Sequence, residues 1–343
     1  MMARRTPAFS RRSFLHTAAL TALTGILTAC GPERGLPRPT PTPAPTRTIP
    51  TPTVIGVPRP WQVVSTIEKE LSRPMAVTVD PSGNIYVLNT LIPSVMKFDN
   101  TSRLLLMWGS EGGGAGQFQF QVPSPRQGWT GDIAVDAAGD IYVSDANDRI
   151  QKFDPMGRFL TEWGGHGTGT GAFQFPDGLA FGQHGDLYVV DNTNHRIQRF
   201  DADGQYLGTL GTDGNHPGQF HYPLAIAVNR TGEFYVTDTG NYRIQKFDAN
   251  RRFVTLWGSK GTGEGQFIYL GRIAVDVDSN VYVTDEGSQR VAKYDPNGQL
   301  LITWGATGTS QSQFSQPFGI AVDRQGNVYV ADHALNRVTK FRQ

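Results

Sequence analysis

From residue 61 onward the chain alternates short apolar segments with short polar connections, and this pattern repeats with an almost constant period. The clearest segment is an alternating strand of the type Val-Tyr-Val-Thr-Asp, found at residues 281–285. Its tyrosine occurs six times, at intervals of 56, 46, 47, 47 and 47 residues, as Tyr86, Tyr142, Tyr188, Tyr235, Tyr282 and Tyr329. A period near 47 residues, sustained over the body of a chain, is typical of a repeat architecture.

Within each repeat the hydrophobic pattern predicts four short strands. In the fifth repeat they are residues 273–276, 281–285, 290–294 and 299–305. The connections are rich in Gly, Asn, Asp, Ser and Pro, which favour hairpin turns. Strands this short need sheet neighbours on both sides, and six four-stranded sheets arranged radially provide them. We therefore predict an all-β fold, a six-bladed β-propeller. A linear β-solenoid is the alternative, but its turns are usually shorter than this repeat.

The two ends of this region predict how the ring closes. The last repeat, residues 317–343, supplies three strands. A further strand-like segment lies upstream of the first repeat, at residues 62–67. Joining the two segments in one blade would close the ring non-covalently. We predict a ring closed by this N-terminal strand.

Several motif elements recur in register and carry a family resemblance. The unit Pro-x-Gly-Ile-Ala-Val-Asp…Gly-Asn-Val-Tyr-Val-Ala-Asp…Asn-Arg-Val is present at residues 317–338, and its continuation Phe-Val-x-x-Trp-Gly…Gly-Gln-Phe at 253–267. Residues 194–197 read Asn-His-Arg-Ile. Over residues 74–343 the chain resembles the NHL-repeat family. This resemblance implies a six-bladed propeller, a fold that hosts enzymes, adaptors and receptors.

The first 60 residues predict export and a tether. Ser10, Arg11, Arg12, Phe14 and Leu15 resemble a twin-arginine export signal, and an ordinary secretory signal is the alternative. An apolar run then ends at Cys30, the only cysteine, in a pattern that resembles the bacterial lipobox. Residues 31–60 hold ten prolines and read as an extended tether. We predict a signal peptide at 1–29, a lipid-anchored Pro/Thr-rich tether at 30–60 and the propeller at 61–343. We predict an extracytoplasmic location at a bacterial cell envelope, with membrane attachment through Cys30.

Charge and cysteine content narrow the function classes. Residues 1–60 hold eight arginines and one acid, so the remaining 23 basic and 29 acidic residues give the propeller a net charge near −6. A nucleic-acid binder should carry the opposite sign, and we predict no nucleic-acid partner, although some animal NHL proteins bind RNA. A single cysteine excludes an internal disulfide framework and a Cys-rich zinc site.

Two repeated side-chain patterns indicate structural roles. The second strand of five repeats ends in Asp, and the third begins with Arg, which predicts an ion pair copied around the ring. These pairs are Asp145/Arg149, Asp191/Arg196, Asp238/Arg243, Asp285/Arg290 and Asp332/Arg337. Four fourth strands end in Trp-Gly, a pattern that predicts packing between blades. These are Trp108-Gly109, Trp163-Gly164, Trp257-Gly258 and Trp304-Gly305.

The histidines do not predict a metal centre. The peptide-amidating lyase of the resembled family places metal-binding histidines around its central channel. The matching positions here, directly after the repeat's proline position, contain no histidine: Met75, Gly131, Asp177, Leu224, Gly271 and Phe318. His216 and His221 share one connection, but two ligands fall short of the three or four that zinc requires. We predict no catalytic residue, no metal and no cofactor.

Five residues are candidates for ligand binding. Asp132, Asp177 and Arg272 are polar residues expected near the mouth of the channel, where other repeats carry small or apolar residues. Arg126 and Trp129 lie in an insertion that only the second repeat has, and Trp and Arg are common interface anchors. The alternatives are a solvated channel lining for the first three and a loop packed over the propeller for the other two.

These observations together favour a binding protein. We predict a non-catalytic binding or scaffold module for a protein, peptide or glycan ligand on the propeller face. The alternative is a metal-assisted lyase or a lactonase-type hydrolase with its site in the central channel.

Overall fold

The computed structural model describes residues 60–122 and 128–343. The leader, the tether, Cys30, Arg11, Arg12 and Arg126 lie outside the described residues. Apart from a single 3-10 turn at Thr239–Asn241, the regular structure of the described part consists of strands. No helix within that part is long and apolar enough to span a membrane.

Six four-stranded antiparallel sheets form the blades of a propeller, each named here in chain order with its innermost strand first. Blade one is Pro74–Val79, Ile85–Asn89, Ser94–Phe98 and Leu104–Trp108; blade two is Ile133–Val135, Ile141–Asp145, Arg149–Phe153 and Phe159–Gly164. Blade three is Pro176–Phe181, Leu187–Asp191, Arg196–Phe200 and Tyr206–Leu210; blade four is Pro223–Val228, Phe234–Asp238, Arg243–Phe247 and Phe253–Trp257. Blade five is Leu270–Val275, Val281–Asp285, Arg290–Tyr294 and Leu300–Trp304; blade six is Pro317–Val322, Val328–Asp332, Arg337–Arg342 and Gln62–Ile67.

The sheet of blade six combines strands from both ends of the described region. Gln62–Ile67 runs antiparallel to Arg337–Arg342, with Val63 opposite Phe341 and Ile67 opposite Val338. Just before this strand, the Trp61 indole stacks on the Trp304 indole of blade five at a centroid distance of 4.5 Å. Each innermost strand contacts the innermost strands of two neighbouring blades, and blade six contacts blade one. The all-β, six-bladed propeller predicted from the repeat is confirmed.

Burial follows the radial position of each strand. Every residue of all six second strands is buried, because these strands are covered by sheets on both faces. The outermost strands of blades one to five consist of exposed and partly buried residues that mostly alternate. A stack of twisted sheets therefore forms the core, and the space at the ring centre is lined by the innermost strands.

The Trp-Gly positions pack one blade against the next, as predicted. Trp108, Trp163 and Trp257 each cover a glycine in the outer turn of the following blade. A Cβ atom at Gly157, Gly204 or Gly298 would lie 2.8, 2.7 or 2.6 Å from the neighbouring indole ring. These glycines also have φ angles of 75 to 86°, so the close approach and the backbone conformation both require glycine.

The insertion in the second repeat forms a small hairpin. Gln121–Val122 pairs antiparallel with Gly128–Trp129, and Thr130 then leads into blade two. A second short pairing joins Ser259–Lys260 to Gln266–Phe267 between blades four and five. Both pairings lie in connections between blades, and the second recurs as a single parallel bridge in four other connections.

Candidate functional site

The repeated arginines hold the connections between blades. In four blades an Arg nitrogen lies 2.7 to 3.5 Å from the carboxylate of its paired Asp. The guanidinium groups also donate to backbone carbonyls of the preceding inter-blade connection, as Arg243 does to Asn215, His216 and Gln219. In blade six, Arg337 makes the same carbonyl contacts, while Asp332 accepts the backbone N–H groups of Ser315 and Gln316. These arginines order the loops of the ring.

A buried ion-pair bridge crosses the central channel. Arg272 of blade five places Nη1 at 3.0 Å from Asp132 Oδ2 and Nη2 at 2.5 Å from Asp177 Oδ1. Nη2 also donates to the carbonyl of Gly131 at 2.7 Å, and the guanidinium faces the ring of Phe318 at 5.4 Å. The side chains of Arg272 and Asp177 are only 4% and 3% exposed. Three of the five predicted ligand-binding residues are therefore brought together in one contact network, named here the Arg272 bridge.

The bridge is possible because most blades carry small residues at the same point. The positions equivalent to Asp132 and Arg272 are Ala76, Gly178, Ala225 and Gly319. At Gly178 and Gly319 an added Cβ would lie 2.6 and 2.7 Å from backbone atoms of the adjacent innermost strand. Neighbouring strands thus approach closely around the ring, and Arg272 can extend across the space that remains.

The bridge has an excess of one negative charge when its three groups are ionised. Burial raises the pKa of Asp177 to about 6; Arg272 opposes that shift, and Asp132 adds to it. Burial alone would lower the pKa of Arg272, but the two carboxylates outweigh it and raise that pKa. Arg272 is therefore held as a cation between two acids, and Asp177 is the bridge acid whose proton affinity is raised.

Two cavities adjoin the Arg272 bridge, and they share no lining residue. The innermost strands of all six blades, with Asp132 and Arg272, line a cavity of about 190 Å³. Asp177 belongs instead to a second cavity of about 410 Å³, here called the cup. Besides Asp177, its wall includes four aromatic and two aliphatic side chains: Phe175, Tyr222, Tyr242, Tyr269, Leu224 and Ile268. Arg272 and Asp177 thus line different cavities although they form one ion pair.

Three aromatic residues of the cup lie in segments that lead into innermost strands. Phe175, Tyr222 and Tyr269 directly precede or join the innermost strands of blades three, four and five. Phe175 and Tyr222 adopt left-handed φ angles of 55 and 47°. Their backbone N–H groups donate to Asp148 Oδ1 at 2.7 Å and to His195 Nδ1 at 3.0 Å. Blades two and three therefore position Phe175 and Tyr222, the aromatic residues that enter the following blade.

A set of side-chain pairs at a constant spacing was missed by the sequence analysis. A residue with positive φ before the third strand contacts a residue 18 positions later, in the following inter-blade connection. We call these four contacts the clasp pairs. Two of them join a carboxylate to an imidazole: Asp148 Oδ2 lies 2.7 Å from His166 Nδ1, and Asp213 Oδ1 lies 3.8 Å from His195 Nδ1. In the other two, Lys260 Nζ lies 5.1 Å from the ring centroid of Tyr242, and Gln289 and Thr307 form a side-chain hydrogen bond. Complementary residue types at a fixed spacing were the signal that could have revealed them.

Within the described chain, His195, Asp213 and His221 form the one group of acidic and histidine side chains close enough to hold a metal ion. The two imidazoles stack at 5.2 Å, and His221 Nδ1 lies 2.9 Å from Asp213 Oδ1. His195 Nδ1, however, already accepts the N–H of Tyr222. None of the three lines either of the two cavities that adjoin the Arg272 bridge. The sequence analysis had paired His221 with His216, which is absent from this group.

Of the two remaining candidates, Trp129 lies in the short hairpin pairing of the insertion. The backbone of Trp129 pairs with Gln121, one residue before Thr130, and Gly128 and Thr130 both line the cup. The hairpin is therefore at the rim of the cup, the cavity that Asp177 also lines. Arg126 lies outside the described residues.

Comparison with known proteins supports the repeat assignment. The family model for the NHL repeat matches residues 173–200, 220–247 and 314–341. Peptidylglycine alpha-amidating monooxygenase of Rattus norvegicus is 36% identical over 127 residues, which is 34% of this chain and 12% of that protein. The Mus musculus enzyme is 34% identical over 129 residues, with the same coverage. The match thus spans only about an eighth of the length of these curated relatives.

Solved structures with similar folds include a streptogramin B lyase and a virginiamycin B lyase. A streptogramin B lyase has a TM-score of 0.55 and 15% identity, covering 82% of this chain and 97% of its own. A catalytically inactive variant of virginiamycin B lyase from Staphylococcus aureus, solved with quinupristin, has a TM-score of 0.57 and 14% identity, covering 83% and 99%. Identities this low show the fold alone. Together with the repeat matches and the six observed blades, they identify the chain as a six-bladed β-propeller that contains NHL repeats.

Proposed function

We propose that this propeller is a non-catalytic binding module and that its ligand, a group on a protein, peptide or glycan, enters the cup. The observation that carries the proposal is the cup itself, a cavity of about 410 Å³ with an aromatic wall beside a buried carboxylate. Small-molecule and side-chain sites commonly have this size and this mixture of apolar wall and few polar groups. The inserted hairpin at the rim would extend the contact surface.

The bridge favours binding over a metal-assisted reaction in the channel. Catalysis of that kind needs several free ligands or an acid and base with access to the substrate. Asp132 and Asp177 each engage one carboxylate oxygen with Arg272. The similarity to lyases extends to the fold, and their activities are not needed to explain these contacts.

We further propose that the module is exported and attached to a bacterial envelope through Cys30. The Arg11–Arg12 pair, the apolar run and the lone cysteine support this proposal. Membrane fractionation of a Cys30→Ser variant provides the check, because wild-type levels of membrane attachment in that variant would exclude the lipid anchor.

Replacing Tyr269 by alanine should remove binding without unfolding the propeller. Tyr269 lines the cup and is 43% exposed, so its loss should cost little stability. Loss of an aromatic anchor typically weakens binding by about 2 kcal/mol or more. The measurement is ligand-observed NMR of the full chain with a library of amines, sugars and short peptides, followed by titration of each compound that binds.

Tyr206→Ala is the matched control. Tyr206 is 39% exposed but lies on the outermost strand of blade three, away from the cup. Compounds bound in the cup should lose affinity with Tyr269→Ala and keep it with Tyr206→Ala. Equal effects of the two substitutions, or none from either, would contradict a binding site in the cup.

A further inference from the structure

The wall of the cup includes aromatic rings that can stabilise a positive charge. Four of its lining residues are aromatic: Phe175, Tyr222, Tyr242 and Tyr269. The face of an aromatic ring attracts ammonium groups within about 6 Å of its centroid. Tyr242 already shows this property, because Lys260 Nζ lies 5.1 Å from its ring centroid.

The charge beside the wall has the complementary sign. Among the described residues that line the cup, Asp177 is the only charged one. It belongs to a bridge with two carboxylates and a single guanidinium, so one negative charge is uncompensated. Arg272 lines the other cavity, and its Nη atoms are directed at the carboxylates. The cup therefore combines aromatic faces with the net negative charge of a buried bridge.

We infer that the cup binds an organic cation, an ammonium group carried on an apolar or aromatic body. This inference rests on the proposed function and names the ligand class of the same site. An anionic ligand would face the excess negative charge of the Arg272 bridge, and a neutral one would leave that excess charge uncompensated. Both a free amine and the N-terminal amine of a peptide have the chemistry that the cup recognises.

The test compares three probes of similar shape by titration calorimetry with the full chain: benzyltrimethylammonium, benzyl alcohol and benzoate. We expect the cation to bind at least about tenfold more tightly than either of the others, a difference that one buried charge contact supplies. Tyr269→Ala should lower the affinity for the cation by a similar factor. A tripeptide that begins with phenylalanine, with a free or an acetylated N-terminus, then separates a peptide source from a free amine.

Asp177→Asn tests the role of the charge, because it removes the excess carboxylate and leaves Arg272 paired with Asp132. We expect affinity for benzyltrimethylammonium to fall about tenfold or more, and the difference between the cation and benzyl alcohol to disappear. Asp203→Asn, which removes one charge from an exposed outer turn of blade three, should change neither. A melting curve for each variant shows that it is folded.

The outcomes separate the inference from the proposed function. If benzyl alcohol or benzoate binds as tightly as the cation, and Tyr269→Ala removes that binding, the cup is a site but the inference is wrong. The inference is also overturned if Asp177→Asn leaves the affinity for the cation unchanged. If no probe binds at millimolar concentration, the cup as the binding site is itself contradicted.

Discussion

The carboxyl group of Asp177 links the chemistry of the cup to the pH of the solution. Burial raises its pKa from 3.8 to about 6, Arg272 opposes the shift, and Asp132 strengthens it. A buried carboxylate without full compensation is costly, so protonation in the folded state is easier than in the unfolded chain. The same charge that would hold a cation therefore reduces the stability of the empty propeller at neutral pH.

This shift predicts a pH-dependent difference between the wild type and Asp177→Asn. When a carboxyl has its higher pKa in the folded state, folding takes up a proton between pH 6 and pH 3.8, so acidification favours the folded form. The wild type should therefore gain melting temperature relative to Asp177→Asn as the pH falls from about 7 to about 5. Parallel melting curves measure this difference, and other titrating groups cancel because both proteins share them. A difference that does not change with pH would contradict the shift.

Sequence reasoning located this acid and both of its bridge partners but not the ion pairs between them. Asp132, Asp177 and Arg272 were recognised because they are polar at repeat positions that are elsewhere small or apolar. The contacts between them depend on the width of the closed ring and on the reach of one long side chain, and the repeat pattern contains neither quantity. The aromatic residues of the cup were missed because Phe175, Tyr222 and Tyr269 lie in connections, where the pattern does not indicate the direction of a side chain.

At the scale of the strands, the sheet of blade six depends most on a contact between distant parts of the chain. Its outermost strand, Gln62–Ile67, comes from the other end of the chain and pairs only with Arg337–Arg342. Trp61 extends this contact to blade five through its stack on Trp304. A blade assembled in this way has no short hairpin connection to hold its last strand in place.

Deleting residues 62–67 should destabilise the propeller far more than deleting the tether residues 31–60. The first deletion exposes the edge of Arg337–Arg342 and apolar surface between blades five and six, whereas the second removes a segment predicted to carry no sheet pairing. We expect the melting temperature to fall by on the order of 10 °C in the first case and to stay nearly constant in the second. Equal melting temperatures for the two deletions would exclude the role of the N-terminal strand in closure.

The strands were the best predicted level of structure. Alternation, turn residues and the period near 47 determined the number of blades and the order of strands. The bounds of the innermost strands were predicted less accurately. In blade five the strand begins at Leu270 rather than at residue 273, with a register shift between Leu270 and Ile273. That irregular start follows the crowded ring centre, where Gly271 and Arg272 meet other blades.

At the scale of the whole molecule, ring closure and repetition produce a scaffold whose centre is not symmetric. Five blades share the Asp and Arg positions, and four clasp pairs recur at a spacing of 18 residues. The channel nevertheless carries one bridge, formed by blades two, three and five, and one cup on the side of Asp177. The repeats therefore supply stability, while the residues that depart from the repeat supply the candidate site.

The central claim is that the cup, with Asp177 at its base, is where a ligand binds. A crystal structure of the protein grown with saturating benzyltrimethylammonium tests it most directly. We predict electron density for the probe inside the cup, with its ammonium group within about 6 Å of the rings of Tyr222, Tyr242 or Tyr269. An empty cup at saturating probe concentration, or a probe ordered only at another surface, would contradict the account.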